Sequence, residues 1–241
     1  MSACYLSVVI PAYNEERRLP ETLETVCAYL ATKAYPWEIV VADDGSDDAT
    51  PAVVAWAAQH DQRVKLLSLP HRGKGWAVKN GMLAAGGELR FLCDADLSMP
   101  IEFLDRLLPV GDPPLDIVIG SREAPGARRI GEPRRRWIMG RAFNAMTRLL
   151  AAPGIDDTQC GFKVFRAAAA ETLFALQTLD GFAFDAEILF LARRRGFSVA
   201  EVGIDWYYRS ESKVRPIRDG WRTLRDLLII RYRSLTGRYG R

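Results

Sequence analysis

Few residues of this sequence can bind a soft metal ion or form a cross-link. It has four cysteines and two histidines in 241 residues. The cysteines lie far apart and show no CxxC spacing, so neither a zinc site nor a disulfide framework is expected. Of the two histidines, His71 is predicted to be a surface loop residue. We predict buried free thiols at Cys4, Cys27, Cys93 and Cys160.

The sequence also lacks long apolar runs. Nowhere do about 18 apolar residues follow one another without a charge, and the N-terminus has no basic stretch followed by a signal-like apolar run. Hydrophobic residues make up 49% and charged residues 26% of the chain, which suits one globular core and excludes fibrous and low-complexity classes. We therefore expect a single domain, residues 1–241, located in the cytoplasm either in solution or on a membrane face.

Positive charge is concentrated in two segments. Residues 122–148 carry eight arginines against two glutamates, and residues 206–241 carry ten lysines and arginines against three acidic residues. Because the net charge of the whole chain is only +3, the remainder is strongly acidic. This asymmetry predicts an acidic half and a cationic flank that binds anions.

Strand and helix patterns alternate along the first half of the chain. Short runs rich in Val, Ile and Leu predict buried parallel strands at residues 6–10, 39–42, 64–69, 89–93 and 117–119. Helices are predicted between them at residues 15–33, 47–59, 74–85 and 101–108. This alternation predicts an α/β fold with a doubly wound, mainly parallel sheet, whose ligands bind beyond the carboxyl ends of the strands.

Three of these strands end in polar segments, at residues 11–15, 43–46 and 94–96. Alternate residues of an extended segment share a face, so Asp94 and Asp96 can point to one spot. Two converging carboxylates with open positions beside them suit Mg²⁺ or Mn²⁺, which prefer oxygen ligands and bridge phosphates. The alternative is that the aspartates form turns or cap helices.

The same segments carry a family resemblance. Ser-Val-Val-Ile-Pro-Ala-Tyr-Asn-Glu from Ser7, Val-Val-Ala-Asp-Asp-Gly-Ser from Val40 and Cys-Asp-Ala-Asp from Cys93 resemble successive motifs of inverting family 2 glycosyltransferases with a GT-A type fold. Asp-Thr-Gln-Cys-Gly-Phe-Lys from Asp157 and Phe-Ala-Phe-Asp-Ala-Glu from Phe182 resemble segments of dolichyl-phosphate glucose synthases and other polyprenyl-phosphate sugar synthases. The likeness covers roughly residues 5–215 and implies a GT-A type, Rossmann-like domain.

The resemblance implies roles for the matching residues. Asp96 is expected to bind the metal, Mg²⁺ or Mn²⁺, together with Asp94, which also contacts the ribose. The nucleotide-sugar donor is expected to contact Pro11, Tyr13, Glu15, Asp43, Asp44, Lys74 and Asp94. The sequence departs from the eukaryotic glucose synthases after the acidic pair, at residues 97–100, and it lacks their membrane-spanning anchor. The membrane attachment therefore needs another explanation.

The chemistry of the acceptor gives the basic residues a role. A lipid phosphate is already anionic, so the enzyme must bring one anion up to the diphosphate of another, and cations must surround the acceptor. Arginine forks match phosphate oxygens bidentately. The candidates are Arg122, Arg128, Arg129, Arg209, Ser212 and Lys213. The alternative for each is a solvated basic surface.

Three further acidic or amide residues join the predicted site. Asp157 is expected to lie across from the metal, either completing the metal and phosphate environment or orienting the acceptor; its alternative is a turn or cap residue. Gln159 is a candidate of the same kind. Asp185 and Glu187 stand in an otherwise apolar helix, where an inward carboxylate without a polar site is costly, so at least one is expected to face the cleft.

The predicted function is therefore inverting transfer of glucose from UDP-glucose to a dolichyl or polyprenyl phosphate. The donor-binding and metal-binding half is placed at residues 1–121, the acceptor half at 122–216 and an amphipathic C-terminal helix at 217–241. Nucleic acid is not an expected partner. The rival within the class is a polyprenyl-phosphate mannose synthase that uses GDP-mannose. A nucleotidyltransferase would need a glycine- and lysine-rich triphosphate loop near the first strand, and a noncatalytic binding module would have lost some of the acids.

Two basic, amphipathic segments suggest how the chain reaches a lipid. In residues 133–151 the apolar stripe is Met139, Phe143, Met146 and Leu150, and arginines recur on a separate stripe. Near the C-terminus Trp221, Leu224 and Leu228 repeat the helical spacing beside arginines. Such helices predict peripheral binding to an anionic membrane, on its cytoplasmic face. The alternative is that both stripes pack on the sheet.

Overall fold

In the computed structural model, which describes residues 4–108, 114–209 and 216–239, a seven-stranded sheet forms the centre of the protein. Its strands in chain order are β1 (Leu6–Ala12), β2 (Trp37–Asp43), β3 (Val64–Ser68), β4 (Leu89–Leu92), β5 (Ile117–Ser121), β7 (Lys163–Arg166) and β8 (Val199–Gly203). A second sheet pairs two short strands in parallel, β6 (Arg128–Ile130) and β9 (Asp205–Tyr207).

The helices cover the sheet. They are α1 (Leu19–Ala31), α2 (Thr50–His60), α3 (Lys74–Ala84), α4 (Leu104–Leu107, preceded by a 3₁₀ turn at Ile101–Phe103), α5 (Arg134–Leu150), α6 (Ala167–Leu176), α7 (Phe184–Arg194) and α8 (Pro216–Leu235). The first helix begins later than the sequence predicts, at Leu19, because residues 13–18 form bends and turns. Pro20 is favourable in the first helical turn.

The central sheet is mainly parallel, as predicted. Its strand order is β3-β2-β1-β4-β7-β5-β8, and every pairing is parallel except those that β7 makes with β4 and β5. The predicted strands are present, with β1, β2 and β5 longer at their ends. Antiparallel β7 lies between two parallel strands, so that Lys163 pairs with Leu92 of β4 and Ile119 of β5. The acidic pair, which follows β4, therefore lies beside the Asp157–Lys163 segment.

The core consists of the central strands and the helix faces packed on them. All seven residues of β1 and of β2 are buried, which agrees with strands covered on both faces. The four cysteines are free thiols, as predicted; Cys93 and Cys160 are buried, whereas Cys4 and Cys27 are only partly buried. None of the helices in the described part of the chain combines the length and the apolar character needed to cross a bilayer.

Candidate active site

The polar segments that follow β1, β2 and β4 lie at one edge of the sheet. These three strands are adjacent and parallel, with Ala12 in register with Asp43 and Val9 with Leu92. Their carboxyl ends therefore point the same way. The structure thus brings together residues 11–15, 43–46 and 94–96, where the sequence predicts donor and metal binding.

Asp43 and Asp44 are both buried, each with 2% of its surface exposed. The carboxylate of Asp43 accepts hydrogen bonds from the Oγ and the backbone N of Ser46 at 2.5 and 3.2 Å. Asp44 accepts from the backbone N of Arg72 and of Gly73 at 3.0 and 2.9 Å. Both carboxylates therefore stabilise the loops that form the wall of the predicted nucleotide pocket.

His71 is an exposed loop residue, as predicted, and it lies against this wall. Its ring stacks on Tyr13, with centroids 4.2 Å apart and planes inclined by 18°. Its Nδ1 lies 2.8 Å from Oδ2 of Asp44. The sequence did not indicate that His71 belongs to the site, because a single histidine between a proline and an arginine shows no pattern. Only the contact between the segments that follow β1 and β3 assigns it there.

Lys74, the first residue of α3, joins the nucleotide wall to the acidic pair. Its Nζ lies 2.7 Å from Oδ1 of Asp94. Burial acts to lower the pKa of Lys74, but the carboxylates of Asp94 and Asp185 outweigh it and raise the pKa above its ordinary value. The lysine is therefore a permanent cation. It lies beside Asp94, where the resemblance places the donor.

Space for the Asp94 carboxylate depends on Gly161. A Cβ atom at this position would lie 1.9 Å from Oδ2 of Asp94. The backbone of the Asp157–Lys163 segment thus approaches the acidic pair directly.

Asp96 faces a cleft of about 570 Å³ between α1, the segment after the acidic pair, and β9. Its Oδ1 accepts from the backbone N of Ser98 at 2.9 Å, and among the described residues no group donates to its second oxygen. Leu97 adopts a positive φ of 40°, which turns the chain sharply after the carboxylate. Arg18, Tyr207 and other residues complete the cleft wall.

Asp94 and Asp96 fit a hard divalent cation. Both supply carboxylate oxygens, and one oxygen of Asp96 is directed to open space. Among the described residues no group of three or more His, Cys, Asp or Glu side chains is placed to hold a metal. Mg²⁺ commonly uses one or two carboxylates and completes its shell with waters and substrate phosphates. The two aspartates therefore fit a cation that arrives with a phosphorylated ligand.

Asp157 forms a buried ion pair with Arg122. The guanidinium donates from Nε to Oδ2 and from an Nη to Oδ1, both at 2.7 Å, and the backbone N of Arg122 also donates to Oδ2. Burial acts to raise the pKa of Asp157, but Arg122 outweighs it and lowers the pKa to about 2. Asp157 thus orients Arg122, and its predicted roles, in the metal and phosphate environment or in orienting the acceptor, stay predictions. Gln159 follows this pair, and its backbone N donates to Oδ1 of Asp157 at 3.3 Å.

The other predicted acceptor cations differ in their surroundings. Arg129 lies between Glu123 and Glu132, at 2.6 and 2.7 Å. Arg128, on an exposed edge, pairs with Asp205. Arg209 lines the same cleft as Asp96, and no carboxylate of the described residues pairs with it. The predictions for Ser212 and Lys213 lie outside the described residues.

Asp185 and Glu187 have separate partners in α7. Asp185 accepts from the Nζ of Lys163 at 2.6 Å, and its pKa is raised by burial despite this pair. Glu187 is fully buried and accepts from the backbone N of Leu179 and from the hydroxyl of Tyr239, at 2.9 and 2.7 Å. Asp185 is thus on the site side, whereas Glu187 joins α7 to the C-terminus.

A mainly parallel sheet with an acidic pair and a buried Arg122–Asp157 pair at one edge fits the GT-A type of fold. The sequence profile described as "Glycosyl transferase family 2" matches residues 7–174. The chain belongs to this family of glycosyltransferases.

Similarity to individual proteins extends over nearly the whole chain. It is 35% identical to a dolichyl-phosphate beta-glucosyltransferase of Dictyostelium discoideum over 97% of this chain and 76% of that protein. It is 33% identical to the Homo sapiens protein of the same name, over 96% and 76%.

Solved structures share the fold. Glucosyl-3-phosphoglycerate synthase from Mycobacterium tuberculosis, in complex with Mn²⁺, UDP and glucosyl-3-phosphoglycerate, superposes with a TM-score of 0.67 at 20% identity, covering 98% of this chain and 80% of that one. Mannosyl-3-phosphoglycerate synthase from Rubrobacter xylanophilus gives a TM-score of 0.68 at 19% identity, over 99% and 76%.

Proposed function

We propose that this protein transfers glucose from UDP-glucose to dolichyl phosphate or another polyprenyl phosphate, with inversion at the anomeric carbon. The observation that carries the proposal is the arrangement of Lys74, Asp94 and Asp96 at the sheet edge, with the Arg122–Asp157 pair in the loops after β5 and before β7. Similarity to proteins named dolichyl-phosphate beta-glucosyltransferase supports the sugar and the acceptor. The UDP bound by structures of the same fold supports the uridine donor.

The reaction is a single displacement. An oxygen of the lipid phosphate attacks the anomeric carbon, the bond from that carbon to the β-phosphate oxygen breaks, and UDP leaves with the electron pair. Because the attacking oxygen is already anionic, no side chain has to remove a proton from it. Arg122, held in place by Asp157, neutralises and orients the acceptor phosphate, and Lys74 neutralises the donor diphosphate.

Asp96, with Asp94, would hold Mg²⁺ or Mn²⁺, and the bound ion would stabilise the negative charge that develops on the departing diphosphate. The Mn²⁺ and Mg²⁺ in structures of the same fold support this assignment. Replacement of Asp96 by Asn removes a ligand charge at an open position, so Asp96→Asn should abolish transfer and leave the thermal midpoint nearly unchanged. Asp61→Asn, a matched change in the loop after α2, should keep full activity. Undiminished turnover in excess EDTA would overturn the metal assignment.

The donor and the acceptor are tested in one assay. Purified protein with Mn²⁺, dolichyl phosphate and labelled UDP-glucose should give a labelled product that is extracted into organic solvent. GDP-mannose, UDP-GlcNAc and UDP-GlcA are the competing donors. A lipid product from GDP-mannose alone would reject the glucose donor, and label found only on soluble saccharides would reject the lipid acceptor.

We further propose that the protein binds an anionic membrane surface peripherally, on the cytoplasmic face, through α5 and α8. These helices contact each other and leave large apolar side chains in solvent. Leu149 is 76% and Leu235 88% exposed, and Trp137, Ile138, Leu228 and Tyr232 are between 39% and 65% exposed. Free thiols suit a reducing compartment.

Exposed arginines lie on the same two helices, among them Arg141 and Arg148 of α5 and Arg225 of α8, each of which also pairs with a carboxylate. Each arginine near an anionic surface contributes about 1 kcal/mol, and salt weakens this contribution. In vesicle co-sedimentation at low salt, the protein should pellet with anionic and not with neutral vesicles. Leu149→Asp with Leu235→Asp should reduce binding, whereas Trp56→Asp on distant α2 should not. Equal recovery in both supernatants would remove the membrane role.

A further inference from the structure

The Tyr13–His71 pair is a rigid aromatic surface at the nucleotide wall. Asp44, with a side chain only 3% exposed, holds the ring edge of His71 through Nδ1 at 2.8 Å. The backbone is confined as well, because a Cβ atom at Gly45 would lie 2.8 Å from the backbone N of His71. The stack on Tyr13 at 4.2 Å then determines the plane of the ring. The orientation of His71 is therefore set before any ligand binds.

One face of this ring is open. The side chain of His71 is 55% exposed, although its other face is covered by Tyr13. Histidine rings are among the surfaces on which bases stack, and nucleotides bind beyond the carboxyl ends of parallel strands.

We infer that the nucleobase of the donor stacks on the open face of His71 and extends the Tyr13–His71 stack by a third ring; this inference rests on the proposed function, which supplies a nucleotide donor. The placement is consistent with the rest of the site. From His71, the chain leads within three residues to Lys74, whose Nζ contacts Asp94. A base on His71 thus has its ribose and diphosphate directed along the sheet edge to the acidic pair.

The test compares two substitutions of one residue. His71→Ala removes the face, whereas His71→Phe keeps an aromatic face and removes the contact with Asp44. His60→Ala is the matched control, because His60 also contacts an aromatic ring, that of Trp56 at 4.1 Å, but lies at the end of α2. Calorimetric titration with UDP and with UMP, both with Mn²⁺, gives the dissociation constants, and thermal midpoints are measured on the same samples.

Loss of one stacking contact should lower the affinity for UDP and for UMP by the same factor, about 5-fold to 100-fold for His71→Ala. His71→Phe should stay within about threefold of the unsubstituted protein, and His60→Ala should not differ from it, since neither loses the face. Unchanged affinity in His71→Ala would overturn the inference. Equal losses in His71→Ala and His71→Phe would overturn it too, because they would assign the effect to the Asp44 contact.

A failure of the proposed donor gives a different result. If the unsubstituted protein binds GDP and not UDP, the proposal of a uridine donor is wrong. The same variants are then titrated with GDP and GMP to test whether the base stacks on His71. If it binds neither diphosphate, the donor proposal and the stacking inference both fail.

Discussion

Asp157→Asn tests the buried pair that orients Arg122. The carboxylate is fully buried and accepts three hydrogen bonds from Arg122, so the substitution leaves a guanidinium, 18% exposed, without its counter-charge. The pKa of Asp157 is lowered from 3.8 to about 2. At about 1.4 kcal/mol per pKa unit this corresponds to about 2–3 kcal/mol of stability, and loss of one partner of a buried pair costs about 3–5 kcal/mol. We therefore expect the free energy of unfolding to fall by about 2–4 kcal/mol.

The pH dependence identifies the cause. The pKa of Asp157 is lower in the folded protein than in the unfolded chain, so the ionised carboxylate stabilises the fold fully above pH of about 4. This contribution is lost as the pH falls through the folded pKa of about 2. The difference in unfolding free energy between the unsubstituted protein and Asp157→Asn should thus be constant from pH 7 to about 5 and shrink between about 4 and 2.

Urea unfolding followed by circular dichroism measures this difference at each pH. Asp156→Asn is the control, because Asp156 is the adjacent residue and also pairs with an arginine, Arg148, but both side chains are 48% exposed. Such an exposed pair contributes at most about 1 kcal/mol. A loss in Asp157→Asn no larger than in Asp156→Asn, or a difference that persists unchanged to pH 2, would refute the electrostatic account of Asp157.

Two further predictions concern the neighbours of the site. Gly161→Ala places a methyl group 1.9 Å from the present position of Oδ2 of Asp94 and should weaken Mn²⁺-dependent UDP binding at least about tenfold in calorimetric titration. The control is Gly181→Ala, where an added Cβ has no atom within 4 Å, and this variant should bind UDP normally. Equal affinities of the two variants would show that Asp94 can shift freely. Tyr239→Phe removes a hydrogen bond to buried Glu187 and should lower the free energy of unfolding by about 1–3 kcal/mol in urea denaturation; no change would mean that the C-terminus does not stabilise α7.

Local patterns were enough to predict β1 to β5 but not β8, which pairs in parallel with β5. Runs of Val, Ile and Leu mark β1 to β5, and β1, β2, β4 and β5 are buried throughout, so they have no alternation to obscure the runs. The position of β7 was not predictable in this way, since Lys163 and Arg166 interrupt its apolar pattern. Its pairing with β4 and β5 depends on residues far away in sequence. Short β6 and β9 form only as a pair, and neither has a local signal strong enough to be recognised.

The acidic residues of the site were recognisable from their positions at strand ends, but their partners were not. The contacts of Asp44 with residues 71–73 and of Asp157 with Arg122 span loops whose paths are set by packing. His71 is exposed, as predicted, but its contacts with Tyr13 and Asp44 were not predictable for the same reason. In α7 the sequence did indicate that charged residues are buried, and both Asp185 and Glu187 are; their different partners became clear only from the structure.

The two amphipathic helices show why the phase of a helix is harder to predict than its existence. In α8 the predicted stripe includes Leu224 and Leu228, yet Leu228 is 55% exposed, and the fully buried residues are Leu227 and Ile230. Helical spacing permits either stripe, and packing against α7 decides between them. In α5, Met146 and Leu150 of the predicted stripe are partly buried against the core, which favours the alternative that this stripe packs inward. The side chains of Met139, Phe143 and Trp221 lie outside the described residues.

Carboxylate partners stabilise the cations of the site in the absence of the two anionic substrates. Lys74, Arg122 and Arg129 are at most 23% exposed, and each has a carboxylate partner within 2.7 Å. Without these partners, burial of several like charges near each other would be unfavourable. A lipid phosphate can approach because guanidinium forks retain further N–H donors after they bind one carboxylate. We expect Arg209, which no carboxylate of the described residues neutralises, to attract an anion into the cleft beside Asp96. Its attraction is screened by salt, so acceptor affinity should depend on ionic strength more through Arg209 than through the buried pairs.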